Sequence, residues 1–124
     1  MLIIDANAIL RYILYDNTDM ADRVRDLISK NKITIRYEVM AEVIYVLEKV
    51  YSTPRSEIVE SIKIFLEFPN VETETEKVLL FALETYADIK IDFVDCVIYA
   101  FKVLCGHDVF TFDKKLNSLI SRLN

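Results

Sequence analysis

The chain opens on Leu2-Ile3-Ile4, an apolar run too short for a helix and stopped at Asp5, which reads as a buried strand. From Asn7 the period changes. Ile9, Leu10, Ile13 and Leu14 recur at helical spacing and describe one apolar face. Asn17-Thr18-Asp19 breaks this helix and supplies a cap for the next, about Met20 to Lys30. Ile33-Thr34-Ile35-Arg36-Tyr37 alternates and is β-branched, which predicts a second strand. A helix from about Glu38 to Tyr51 follows, with Val39, Val43, Val46 and Val50 along one face. Ser52-Thr53-Pro54 sets proline at the first position of another helix, which runs to about Phe68 and stops at Pro69-Asn70.

The second half repeats the alternation. Val71-Glu72-Thr73 is a candidate short strand, and Glu74 to Ala87 is helical, with Val78, Leu79, Phe81, Ala82 and Tyr86 apolar. Asp92 to Cys105 is a helix closed by Gly106, a residue suited to a left-handed C-terminal cap. Asp108-Val109-Phe110-Thr111-Phe112 reads as a strand, and Lys115 to Leu123 as a last helix. Short strands separated by helices predict an α/β fold, a parallel sheet covered on both faces. No repeat, linker or low-complexity tract interrupts it, so residues 1–124 are expected to form a single domain.

Composition narrows the chemistry. Apolar residues make up 53% of the 124, ample for one core. A single glycine, Gly106, excludes a P-loop and a Gly-rich dinucleotide turn. A single histidine, His107, excludes two-histidine zinc sites, and two cysteines cannot build a four-thiolate site. Cys96 and Cys105 share one predicted helix about 13.5 Å apart, too far to bridge, and free cysteines fit a reducing compartment. Asp5 interrupts the first apolar run and no basic segment precedes it, so no signal peptide is expected. No apolar run reaches the length of a membrane span, so no membrane association is expected either. A cytoplasmic protein is therefore expected. With 20 acids against 15 bases the net charge is −5, which speaks against a duplex-coating surface. What remains in quantity is carboxylate, the ligand of hard cations.

Certain acids stand where solvated charge is not expected. Asp5 ends the first strand, where ligands bind in open α/β sheets, although aspartate is equally a helix cap there; Asn7 has the same ambiguity. Glu42 lies between Val39 and Val46 of the apolar stripe, where a carboxylate is either a site residue or one that reaches water from the stripe's edge. Asp95 sits in a run, Phe93 to Cys105, that is apolar nearly all round, and such a helix is buried. A buried lone carboxylate is costly, and Lys102 is about 10.5 Å further along the axis, so Asp95 wants another cation. Asp92 is adequately explained by the helix N-terminus. Asp113 follows the strand ending Thr111-Phe112, again as a site residue or a cap. Strand ends of a parallel sheet face one edge, and carboxylates meeting there repel one another unless metal ions hold them. Such clusters are the usual equipment of phosphoryl-transfer and nuclease sites.

In order along the chain, Ile4-Asp5-Ala6-Asn7-Ala8-Ile9-Leu10, Ala41-Glu42-Val43 with Tyr45-Val46-Leu47, Asp92-Phe93-Val94-Asp95-Cys96-Val97-Ile98 and Thr111-Phe112-Asp113 resemble the PIN domains, in particular the VapC-like toxin ribonucleases. The resemblance implies a PIN-like α/β/α sandwich, a short-stranded parallel sheet flanked by helices. It implies catalytic, metal-binding roles for Asp5, Glu42, Asp95 and Asp113, with Asn7, Thr111 and the additional acid Asp92 in support. It implies Mg²⁺ or Mn²⁺ as cofactor and single-stranded RNA as substrate. It also implies a homodimer and a cognate antitoxin, as in VapBC-type toxin–antitoxin pairs. The family often has a small residue where Cys96 stands and a serine or threonine where Ala6 stands; neither change touches a ligand. Arg11, one turn from Asn7, is the first candidate for holding RNA, with Arg36, Lys114 and Lys115 behind it; a solvated helix face is the plainer account of Arg11.

The expected mechanism is attack on phosphorus by a metal-activated water, the metals reversing the local sign of an acidic protein. Two other readings differ in class. A receiver-like Mg²⁺-binding signalling domain wants paired acids after the first strand, whereas Asp5 has no acidic neighbour and the second strand ends in Arg36-Tyr37. A PIN fold used only as a binding module has no need of intact acids.

Overall fold

The strand–helix alternation is realised in a computed structural model that describes residues 1–123. Asn124, the last residue of the expected domain, lies outside the described residues. The chain divides into two compact units, residues 1–74 and the residues from Thr75 onward.

The first unit holds β1 (Leu2–Ile3), α1 (Ala6–Leu14), α2 (Thr18–Lys30), β2 (Ile33–Ile35), α3 (Tyr37–Lys49), α4 (Arg55–Leu66) and β3 (Val71–Thr73). The strands form one sheet in the order β1-β2-β3, both pairs parallel, with Leu2 opposite Ile33 and Ile33 opposite Val71. Parallel pairing follows from the connections, because a helix pair between successive strands gives the chain the length to cross back. The predicted α/β class, a parallel sheet flanked by helices, therefore stands, but β1 is not the buried strand expected: Leu2 and Ile3 are exposed, and of the opening run only Ile4, just beyond the strand, is buried. Ile4, Ile9, Ile28, Ile33, Ile35, Ile44 and Phe65 are buried in this unit. Tyr12 packs edge-on against Phe65 and Phe68, with centroids 5.5 and 5.7 Å apart.

Caps set the helix starts. Asn17 Oδ1 accepts from the Met20 amide at 3.1 Å, the cap expected before α2. Pro54 falls at the capping position of α4, one residue before the helix, rather than in its first turn. The face of α3 also differs from expectation. Its buried residues are Met40, Val43, Ile44 and Leu47, while Val50 is exposed. Valine spacing alone misplaced the stripe, because Met40 and Ile44 supply the larger side chains that fill the core.

The second unit holds α5 (Glu76–Asp88), α6 (Phe93–Cys105) and α7 (Lys114–Ser121). α5 and α6 pack along each other, with ring contacts Phe81–Tyr99 at 5.9 Å and Tyr86–Phe93 at 6.1 Å. α6 is less enclosed than its composition predicts. Phe93, Cys96 and Ala100 are buried, whereas Val94 and Leu104 are exposed. Lys102 pairs with Asp108 at 3.7 Å, not with Asp95. Gly106 ends α6 at φ 70°, in the left-handed region, and donates its amide to Lys102 O. Cys96 and Cys105 are free.

The expected strand at Asp108–Phe112 is not formed. The segment is irregular, and Phe110 and Phe112 are 85% and 89% exposed, their rings edge to face. Alternating β-branched and aromatic residues suit a pleated surface, but a strand also needs a neighbour's backbone, and among the described residues no other segment of this unit is a strand. No helix among the described residues is long and apolar enough to cross a membrane.

Candidate active site

In the second unit the acids are set by two helix starts. Asp92 occupies the N-cap of α6 with its backbone, its carbonyl accepting from the Cys96 amide at 3.0 Å, while its side chain makes no capping bond. Asp95, in the first turn, is half-buried. Before α7, the Asp113 amide donates to Thr111 Oγ1 at 3.0 Å, and Asp113 Oδ1 accepts from the Leu116 amide at 2.8 Å. Asn117 Nδ2 donates to Thr111 O at 2.7 Å, closing the turn from the other side. One hydrogen bond thus holds the Asp113 carboxylate and two more fix the turn that carries it, and its Oδ2 has no hydrogen-bond partner among the described residues.

Asp92, Asp95 and Asp113 line one open concavity of about 330 Å³, floored by Ile91 and rimmed by Lys90, Lys114 and Lys115. Burial, then the negative charges of Asp113 and Asp92, raise the Asp95 carboxyl above the ordinary aspartate range. The lysines on the rim come within ion-pair distance of none of these acids. The concavity therefore carries uncompensated negative charge at Asp95, and its donors are all oxygen. That donor set and that field fit a hard divalent cation. Among the described residues, no group of three or more His, Cys, Asp or Glu side chains stands close enough together to hold a metal ion.

In the first unit, Asp5 is the N-cap of α1, its Oδ1 accepting from the Ala8 amide at 2.9 Å. Asp5, Asn7 and Arg11 line a concavity of about 250 Å³ together with Arg23. Arg11 therefore faces the same hollow as Asp5. Its Nη1 meets Asp16 at 2.9 Å, and its buried Nε has no hydrogen-bond partner among the described residues. Glu42 is exposed on α3 and has no partner among the described residues, so it does not lie on the buried stripe as the valine pattern suggested. Arg36 is held by Glu38 at 2.7 Å and Glu74 at 3.9 Å, and Glu74 also accepts from the Tyr37 amide at the start of α3. Those ion pairs occupy Arg36, which weakens it as a candidate for RNA.

Sequence reasoning overlooked Lys90, Arg23 and Glu74. The signal for Lys90 was its place two residues before Asp92; Glu74 gave none, because its role depends on β3 ending beside the start of α3.

The chain matches the PIN domain over residues 2–120 and belongs to that family. PIN domains are generally nucleases, hydrolases of phosphodiester bonds, and they typically use divalent metals. This membership decides against the receiver-like reading. None of the curated proteins compared with the chain matches it.

Proposed function

We propose that this PIN domain is a metal-dependent endoribonuclease that hydrolyses single-stranded RNA, and that it serves as the toxin of a VapBC-type toxin–antitoxin pair. The observation that carries the nuclease reading is the Asp92–Asp95–Asp113 concavity, where burial and then like charges raise the central carboxyl in a chain of nuclease family. Asp5, Glu42, Asp95 and Asp113 take the ligand roles for Mg²⁺ or Mn²⁺. When bound, such an ion lowers the pKa of a water and offsets charge building on the phosphate. Thr111 and Asn117 keep Asp113 oriented, and Asn7 and Asp92 support the acids. Arg11 is the proposed phosphate contact beside Asp5, its unpartnered Nε being a donor in search of an acceptor.

The toxin reading rests on the VapC-like motifs and on exposed apolar surface. Tyr45, Val50 and Tyr51 at the end of α3 and just beyond it are 63%, 66% and 45% exposed. Such a patch suits a second copy or a small antitoxin. The proposed location is the cytoplasm, where the exposed Cys105 stays reduced.

The test is cleavage of single-stranded RNA with Mn²⁺ and with EDTA, for wild type, Asp5→Asn and Asp95→Asn. Wild type is expected to cleave with Mn²⁺ and not in EDTA, and neither variant is expected to cleave. RNA binding without cleavage under every metal condition would favour the binding-module reading instead.

A further inference from the structure

Beside the acid concavity lies a second one, of about 310 Å³, and the two share Lys90, Ile91, Lys114 and Lys115. Its far end is formed by Arg122, its floor by the buried Ile91 and Leu119. Among the described residues no carboxylate lines it. Lys90, Lys114, Lys115 and Arg122 are all exposed, and none makes an ion pair among the described residues. This is unexpected in a chain with 20 acids and 15 bases, where Arg11, Arg36 and Lys102 are each drawn to a carboxylate. On α7 the spacing of Lys115, Leu119 and Arg122 puts them on one face, so the helix aims two cations and an apolar contact into the same hollow. Cations gathered over a low-dielectric floor and ion-paired to none of the acids of the adjoining concavity concentrate positive field, most of all at the Arg122 end.

We propose that this groove seats the phosphates of the single-stranded RNA that flank the scissile one, the strand passing from the acid concavity over Lys90, Lys114 and Lys115 to Arg122. The direction of the strand rests on the nuclease reading; the polyanion site does not. The acids repel phosphate at one end while the unpaired cations attract it at the other, so a strand is fixed in register with one phosphodiester over the acids. Each cation that meets a phosphate releases condensed counterions, which for a single strand changes the slope of log K against log salt by about 0.7. Four contacts give a slope of about −3, and at 0.1 M salt each contributes about fivefold in affinity.

The experiment measures fluorescence anisotropy of a short labelled single-stranded RNA with the full chain in EDTA across a salt series. It compares wild type, Arg122→Ala, Lys115→Ala, the double variant, and Lys77→Ala as an exposed control on α5. The double variant is expected to bind roughly 25-fold more weakly at 0.1 M salt, with its slope reduced by about 1.4, while Lys77→Ala matches wild type. In Mn²⁺ the same double variant is expected to raise KM for cleavage and leave kcat near wild type. Unchanged affinity and slope in the double variant, or an equal loss in Lys77→Ala, would overturn the groove. If wild type binds with the expected salt dependence but never cleaves, the groove stands and the nuclease reading fails. If wild type cleaves while the groove variants keep KM and slope, the groove fails and the nuclease reading stands.

Discussion

Asp113 caps α7 through Oδ1, and the proposed chemistry uses the same carboxylate; Asp113→Asn and Asp113→Ala separate the two roles. Alanine removes the 2.8 Å bond to the Leu116 amide, and loss of such a cap costs about 1 kcal/mol. For a chain of this length that lowers the melting temperature by about 4 °C. Asparagine caps as well as aspartate, so Asp113→Asn keeps the bond. It gives up the charge–dipole attraction at the helix start, about 0.3–1 kcal/mol, and gains by relieving the repulsion that acts on Asp95. These oppose each other, and the asparagine variant is expected within about 2 °C of wild type in EDTA. Cleavage behaves differently. Both variants lack the carboxylate, so both are expected to lose more than about 100-fold of Mn²⁺-dependent RNA cleavage, beyond what loss of an outer hydrogen-bond partner brings. The assays are melting by circular dichroism in EDTA and initial cleavage rates at saturating metal. An asparagine variant with wild-type cleavage would refute the argument, because Asp113 would then be a cap and nothing more.

Asp95 gives a pH test. Its native pKa lies above its unfolded value, so the contribution of Asp95 to metal-free stability falls as pH rises from about 4 through the native titration, where the native state binds more protons. Asp95→Asn is expected to be the more stable protein at pH 7 in EDTA, with the gap closing toward pH 4; a gap independent of pH in urea titrations would contradict this. Mn²⁺ at about 100 times its Kd should raise the wild-type melting temperature by about 10 °C, and Asp95→Asn should lose that rise; an identical rise in both means Asp95 is no ligand. Glu42 is exposed and has no partner among the described residues, so Glu42→Gln should alter unfolding in urea by less than about 0.5 kcal/mol while cleavage falls more than about 100-fold; normal cleavage would remove Glu42 from the site. Light scattering should find a dimer that Tyr45→Glu and Tyr51→Glu dissociate, and a monomeric wild type at high concentration would end the homodimer proposal.

Local chemistry wrote much of this protein directly into its sequence. Short β-branched or apolar segments ended by Asp5, Arg36 and Glu74 mark the parallel strands, because such side chains suit a pleated surface and a polar residue stops them. Asn17, Asp113 and Gly106 mark helix ends, since capping depends on a side chain or a φ value that one residue supplies. Asp95 was legible as anomalous for the same reason: a carboxylate in an apolar helix announces itself without any neighbour. What needed the tertiary structure were properties that belong to pairs of elements. Asp108–Phe112 has the composition of a strand and lacks the partner that would make it one. The core face of α3 turns on Met40 and Ile44, which the valine spacing does not weigh, and it leaves Glu42 in solvent. Which acids share a hollow, and which lysines go unpaired beside them, depends on how α6 and α7 begin relative to each other. Charges interact through space, and distance along the chain records only part of that.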